Sequence, residues 1–321
     1  MSVVALQLSG NIIKALEFAT PSSLKNIQSW VEKEKIQPYI DVKLSKDVEN
    51  GIFFTPQANL NEKIFKLSGP YLDALWIYVF STIVEYEMLE SQTILNLGGK
   101  SPYRTSSVVY HRTQENKKWI EKLKIGIDLW PQTCPYPNSA NWLSQIETDY
   151  ILKANEIFEK TLSVVMFHEI AHIILGHDNV IKGCVKNDEI EQLEKEADNF
   201  STDFLKTDWK NENDELGYLF SIVFSCTSLL TFISSPRMLK QDVHTDVDIR
   251  IYNIITSALS EINEFGKQDY FYGLACYILR EYVTKNDRCK IAKPFPTGNM
   301  LAKDLFTYYI DQIEIMKNYY M

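Results

Sequence analysis

Between Thr161 and Leu175 almost every position is apolar: Leu162, Val164, Val165, Met166, Phe167, Ile170, Ala171, Ile173 and Ile174. No amphipathic period survives in such a run, which predicts a helix buried on most of its sides. His168, Glu169 and His172 interrupt it. Burying such groups without partners costs roughly 2–7 kcal/mol each. Whatever this chain folds into has to give those three side chains something to bind.

Their spacing says what. His168-Glu169-Ile170-Ala171-His172 reads H-E-x-x-H. Residues four apart lie one above the other on a helix, so His168 and His172 can point two imidazoles at one zinc ion. Glu169 sits one step round, placed to polarise a water molecule. A catalytic zinc takes a third protein ligand. His177 lies about 140° round from His172 if the helix continues, and so faces elsewhere. Gly176 is better read as the residue that ends the helix. The stronger candidate lies in Glu191-Gln192-Leu193-Glu194-Lys195-Glu196-Ala197-Asp198, which reads as a second helix. Glu194 and Asp198 share one face: Glu194 as the third ligand, Asp198 as acceptor for the free N–H of a ligand histidine. Glu196 points away. Two histidines on one helix and a glutamate on the next form the gluzincin pattern.

Composition narrows the class. The chain has 321 residues, 45% hydrophobic and 23% charged, ordinary for a globular protein. Its formal charge of −9 argues against a nucleic-acid partner, whose affinity rests on Lys and Arg against phosphate. The basic stretch Lys117-Lys118-Trp119-Ile120-Glu121-Lys122 is explained by an amphipathic helix. Five cysteines, an odd number without C-x-x-C spacing, suggest free thiols in a reducing compartment. Met1–Gly10 lacks the basic start and apolar core of a signal peptide. The uncharged stretch Leu216–Ser235 is long enough to span a bilayer, but five serines and two threonines dilute it and no basic cluster flanks it. It reads as a buried helix, with no membrane partner.

The expected architecture is mainly α with a small N-terminal β-sheet, an α+β arrangement. An N-terminal α/β region (residues 1–140) precedes a helical core (residues 141–321). Helices are expected over 11–36, 71–89, 117–124, 144–176, 188–207, 215–234, 245–263, 268–284 and 301–319. Asn50-Gly51 predicts a hairpin near 39–57, between strands Tyr39–Leu44 and Ile52–Thr55. Trp130–Ser139, with three prolines, reads as a linker. His244 and Arg250 are candidate donors to an oxyanion. Alternatively Thr245 caps a helix, with Asp246 and Asp248 in its first turn.

Several blocks together resemble the Lit family of phage-exclusion peptidases: Tyr71-Leu72-Asp73-Ala74-Leu75-Trp76, Trp130-Pro131-Gln132-Thr133-Cys134-Pro135, Phe167 to His172, Glu194-Lys195-Glu196-Ala197-Asp198, and His244 followed by Arg250-Ile251-Tyr252. They run in the family's order. Thr245 departs from the pattern, since relatives carry proline after the downstream histidine. The resemblance implies a zincin-like helical core and a cytoplasmic zinc endopeptidase. His168, His172 and Glu194 would hold Zn2+, Glu169 would act as base, and His244 and Arg250 would assist. It further implies elongation factor Tu as protein substrate, a role in phage exclusion or abortive infection, and a phage-derived polypeptide as activator. Two other readings share the motif: a regulatory zinc peptidase that cleaves a repressor, and a zincin-fold binding protein without catalysis.

Overall fold

The computed structural model describes residues 3–8, 23–43, 56–123, 129–177, 187–206, 211–233, 235–241, 245–286 and 300–320. Two short helices come first, α1 (Val3–Gln7) and α2 (Ser23–Glu32). Strands β1 (Ile40–Lys43), β2 (Gln57–Asn59) and β3 (Ile64–Ser68) follow. The rest of the described chain is helical: α3 (Gly69–Asn96), α4 (Ser107–Leu123), α5 (Gln145–Ile174), α6 (Asn187–Lys206), α7 (Glu212–Phe232), α8 (Val247–Ser260), α9 (Phe265–Asn286) and α10 (Ala302–Tyr319), with short 3-10 turns at Ala140–Trp142 and Pro236–Leu239. This is the mainly helical fold with a small sheet that the sequence predicts.

In the sheet β3 is central. β1 runs parallel to it, Ile40 opposite Phe65, and β2 runs antiparallel, Ala58 opposite Phe65. β3 escapes a period-2 reading because four of its five residues are buried, as a covered central strand requires. Asn50-Gly51 and Ile52–Thr55 lie outside the described residues. The described sheet instead pairs β1 with β3, which the hairpin reading did not anticipate.

β3 passes directly into α3. Ser68 ends the strand and caps the helix, its hydroxyl accepting from the Tyr71 N–H at 3.3 Å, with Pro70 in the first turn. α3 starts near the expected residue and runs on to Asn96. Asp73 on α3 takes the Val4 and Val3 backbone N–H groups at 2.7 and 3.2 Å, which seats α1. α5 begins with a reciprocal capping box: Ser144 Oγ accepts from the Glu147 N–H at 3.3 Å, and Glu147 Oε2 accepts from the Ser144 N–H at 3.4 Å. It runs for 30 residues against α3, α6 and α7.

The prolines of 130–139 do not make a free spacer. Trp130 packs on Trp76, Trp119 and Tyr136, and Cys134 is buried. Trp76 Nε1–H donates to Asn155 Oδ1 at 2.7 Å, and Asn155 Nδ2 donates to the Pro137 carbonyl at 2.8 Å, which ties the stretch to α5. Cys134, Cys226 and Cys276 are buried free thiols. Burial pushes the Cys226 and Cys276 thiols up to about 12, where they are inert as nucleophiles. α7, the one described helix long and apolar enough to cross a membrane, is mostly buried inside the protein. Its neighbours are α3, α5, α6, α8 and α9.

Candidate metal centre

α5 presents His168 and His172 one turn apart, and α6 lies along it with Glu194 facing them. All three side chains are buried. His168 Nε2 and His172 Nε2 are 3.2 Å apart, Glu194 Oε2 is 3.4 Å from His168 Nε2, and Glu194 Oε1 is 3.3 Å from His172 Nε2. Ligands about 2.0–2.1 Å from a tetrahedral zinc stand about 3.3 Å from one another. Two imidazole nitrogens and a carboxylate therefore already have the spacing, the chemistry and the burial that a divalent ion requires.

The outer nitrogens of both rings are engaged. His168 Nδ1 lies 2.8 Å from Asp198 Oδ1, one turn beyond Glu194 on α6. With that N–H donated to a carboxylate, Nε2 is the nitrogen left for a metal. His172 Nδ1 lies 2.7 Å from His177 Nδ1, and both rings are buried. The helix ends just before Gly176, as the sequence suggests, and His177 lies beyond it against His172. Gly176 takes φ +75°, the Gly176 N–H reaches the Ile173 carbonyl at 3.3 Å and the His177 N–H reaches the His172 carbonyl at 3.1 Å. This Schellman closure turns the chain back and brings the His177 ring onto His172. Glu196 is half exposed, as expected of a residue that points away, with Oε2 3.7 Å from His177 Nε2.

Arg250, in the first turn of α8, is turned toward Asp198. Its Nε donates to Asp198 Oδ2 at 3.1 Å and its Nη2 to Asp198 Oδ1 at 2.7 Å. Nη2 also lies 2.9 Å from His168 Nδ1, and Nη1 is 3.9 Å from Glu194 Oε2. The geometry places Arg250 as a clamp on the partner of His168. His244 lies outside the described residues. The α8 helix is capped by Asp246 rather than Thr245.

The electrostatics follow from this packing. Burial and the Arg250 charge both pull the His168 pKa down, but Asp198 and Glu194 outweigh them and raise it from 6.5 to about 9. Burial alone would raise the Asp198 carboxyl. Arg250 and His168 reverse this and hold it below its ordinary range. Burial and the neighbouring His172 depress His177. A pocket that lifts an imidazole this far is one that favours an added positive charge.

Glu169 is half buried, and its Oε2 accepts the Ala58 backbone N–H at 2.8 Å. The edge strand β2 is thereby fastened to the H-E-x-x-H helix. Tyr71, in the first turn of α3, stacks on Phe232 and feels the charges of both Glu169 and Arg250. Sequence reasoning missed Ala58, because a backbone donor leaves no residue signature. It also missed the His177 contact, although Gly176 followed by a third histidine carried the signal.

Residues 66–275 match the family model of peptidase U49, and the chain belongs to that family of peptidases. A protein of Escherichia coli (strain K12) described as a cell death peptidase is 23% identical over 198 residues, covering 58% of either chain. The chain thus spans little more than half the length of this curated relative. No solved structure matches. These findings bear out the resemblance to the Lit family. The family match includes every residue of the centre and leaves β2 and α10 outside it.

Proposed function

We propose that this chain is a zinc-dependent endopeptidase, with His168, His172 and Glu194 as metal ligands and Glu169 as general base. One observation carries the reading: two imidazole nitrogens of α5, the helix that also bears Glu169, and a carboxylate of α6 converge within 3.2–3.4 Å in a buried pocket. A divalent ion there supplies Lewis acidity, which acidifies water and polarises a carbonyl. The chain's own groups do the rest. Asp198 and His177 fix the two rings so that both Nε2 atoms face inward. The Ala58 N–H holds the Glu169 carboxylate in one orientation. Glu169 takes a proton from the attacking water and returns it to the nitrogen of the departing amine, so one water is consumed per bond and the base is regenerated. His244 is the proposed donor to the oxyanion. Arg250 supports His168 through Asp198, and a contribution to the oxyanion is retained for it as a proposal. Among the described residues β2 pairs with β3 alone, and its other side, where the Ala58 N–H meets Glu169, is the proposed place for an extended peptide to lie.

The resemblance supports the finer proposals: cleavage of a cytoplasmic protein, elongation factor Tu, in phage exclusion, triggered by a phage polypeptide. The name of the E. coli relative is consistent with such a lethal peptidase. The test incubates the purified, zinc-loaded chain with elongation factor Tu and with whole lysate, with and without phage protein, beside the Glu169→Gln variant. New peptide termini found by mass spectrometry with the wild type alone support the reading. Their absence in every condition removes it.

A further inference from the structure

The first turn of α8 joins two sets of ions. Asp248 and Arg250 are two residues apart, so they leave the helix about 200° from each other. Arg250 reaches Asp198 on α6. Asp248 reaches in the other direction, to Lys317 in the last turn of α10. Lys317 Nζ lies 2.8 Å from both Asp248 oxygens and 2.9 Å from Asp246 Oδ2. Asp246 is the cap of α8. Its carbonyl accepts the Arg250 N–H at 3.0 Å and its Oδ1 accepts the Gln241 N–H at 3.1 Å. Lys317 is 5% exposed and Asp248 2%.

Positive and negative groups thus alternate from the last helix to the metal centre: Lys317, then Asp246 and Asp248, then Arg250, then Asp198, then His168. We infer that Lys317 is a positioning residue for the metal centre. This rests on the reading of His168, His172 and Glu194 as metal ligands. It acts through charge. Asp246 lies one helical turn before Arg250, on the same side, and would compete with Asp198 for its guanidinium. Lys317 neutralises that competition, three carboxylate contacts meeting the three donors of one ammonium. Arg250 is then left to give both N–H bonds to Asp198.

Stability alone does not account for the arrangement. Phe306, Ile310, Ile313 and Met316 already bury an apolar face of α10. Burying an ammonium and a carboxylate, with a second carboxylate half-buried beside them, returns little net stability compared with apolar residues of the same volume. What the ions add is a fixed register between α10 and the turn that bears Arg250.

Lys267 provides a control. It holds Glu212, Glu215 and Glu264 at 2.9, 2.9 and 3.1 Å, and those contacts sit at the opposite end of α7 from Phe232, which packs on Tyr71 beside the centre. The experiment measures the dissociation constant for Zn2+ by chelator competition, and the visible spectrum of the Co2+-loaded chain, in wild type, Lys317→Met, Lys317→Arg and Lys267→Met. Lys317→Met is expected to weaken metal binding about 3- to 10-fold and to shift the Co2+ spectrum. Lys317→Arg should restore both, and Lys267→Met should change neither. If Lys317→Met does not fold, Lys317→Gln is measured in its place with the same expectation. A Lys317→Met or Lys317→Gln chain that matches wild type in affinity and spectrum overturns the inference, as does an equal change in Lys267→Met. A wild type that takes up no ion overturns the reading of the centre itself, a result distinct from either.

Discussion

Asp198→Asn keeps the shape of the side chain and removes its charge, and its effect on metal binding can be worked out from two opposing contributions. Asp198 lies 2.8 Å from His168 Nδ1 and takes Arg250 Nη2 and Nε at 2.7 and 3.1 Å. Carboxylates that orient a ligand imidazole in this way are worth about 10- to 100-fold in affinity. Against this, the metal-free His168 keeps its proton up to about pH 9. An ion binding at pH 7 must displace that proton, which costs about 100-fold, one factor of ten for each pH unit. Without the Asp198 charge the proton is held far more weakly. Near pH 7 the two effects therefore largely cancel. Above pH 9 the proton is absent from both proteins and the loss of about 10- to 100-fold stands alone. The assay is chelator competition for Zn2+ between pH 6.5 and 9.5, with circular dichroism to establish that both proteins are folded. The ratio of wild-type to variant affinity should climb with pH. A ratio that stays flat or falls refutes the reasoning, and equal affinities at pH 9.5 would show that Asp198 does not orient His168.

Glu169→Gln should bind metal like wild type, because Glu169 is not among the three converging groups, and should lose about 100- to 10,000-fold in turnover; normal turnover in a peptide-release assay removes it as the base. The metal-free chain should lose stability as pH rises. A raised His168 means the folded state binds the proton more tightly, so the contribution is full below 6.5 and is lost through about 9, at most about 3 kcal/mol. The Tm of chelator-treated protein should fall across that window while the metal-loaded Tm stays level, and a rise would contradict the assignment. Gly176→Ala should cost about 1–2 kcal/mol in chemical denaturation, all of it from the left-handed backbone, since an added Cβ meets nothing within 4 Å. A loss above about 3 kcal/mol would mean that the Schellman closure is not what sets the cost.

What could be read in advance depended on how local each signal is. His168, Glu169 and His172 stood out because they are polar residues in an apolar run, and one turn of helix fixes their relation. Glu194 and Asp198 followed from their i, i+4 spacing on the next helix. That Gly176 ends the helix was legible, but not where His177 then comes to lie, since a positive φ reverses the chain there. β2 and β3 were missed because they are three and five residues long and the central one is covered. The role of Arg250 was legible only as a residue type. Its partner lies 52 positions away and is chosen by the packing of α8 against the rest of the core. Backbone donors such as the Ala58 N–H have no sequence signature at all.

The charge of the centre explains why these distant elements have to cooperate. Glu169, Glu194 and Asp198 place three carboxylates around the two imidazoles, and Arg250 supplies one guanidinium. Two negative charges remain, which is the charge of one divalent ion. In the metal-free chain a proton on His168 makes up part of the deficit, which is the origin of its raised pKa. An ion completes the balance and displaces that proton. Were Arg250 drawn toward Asp246, Asp198 would lose its counter-charge and hold the His168 proton more tightly still, and the ion would meet a stronger competitor. The identity of the ligands is thus set within one turn of α5 and one of α6, whereas the charge that decides between a proton and a metal is set by α8 and, through Lys317, by α10.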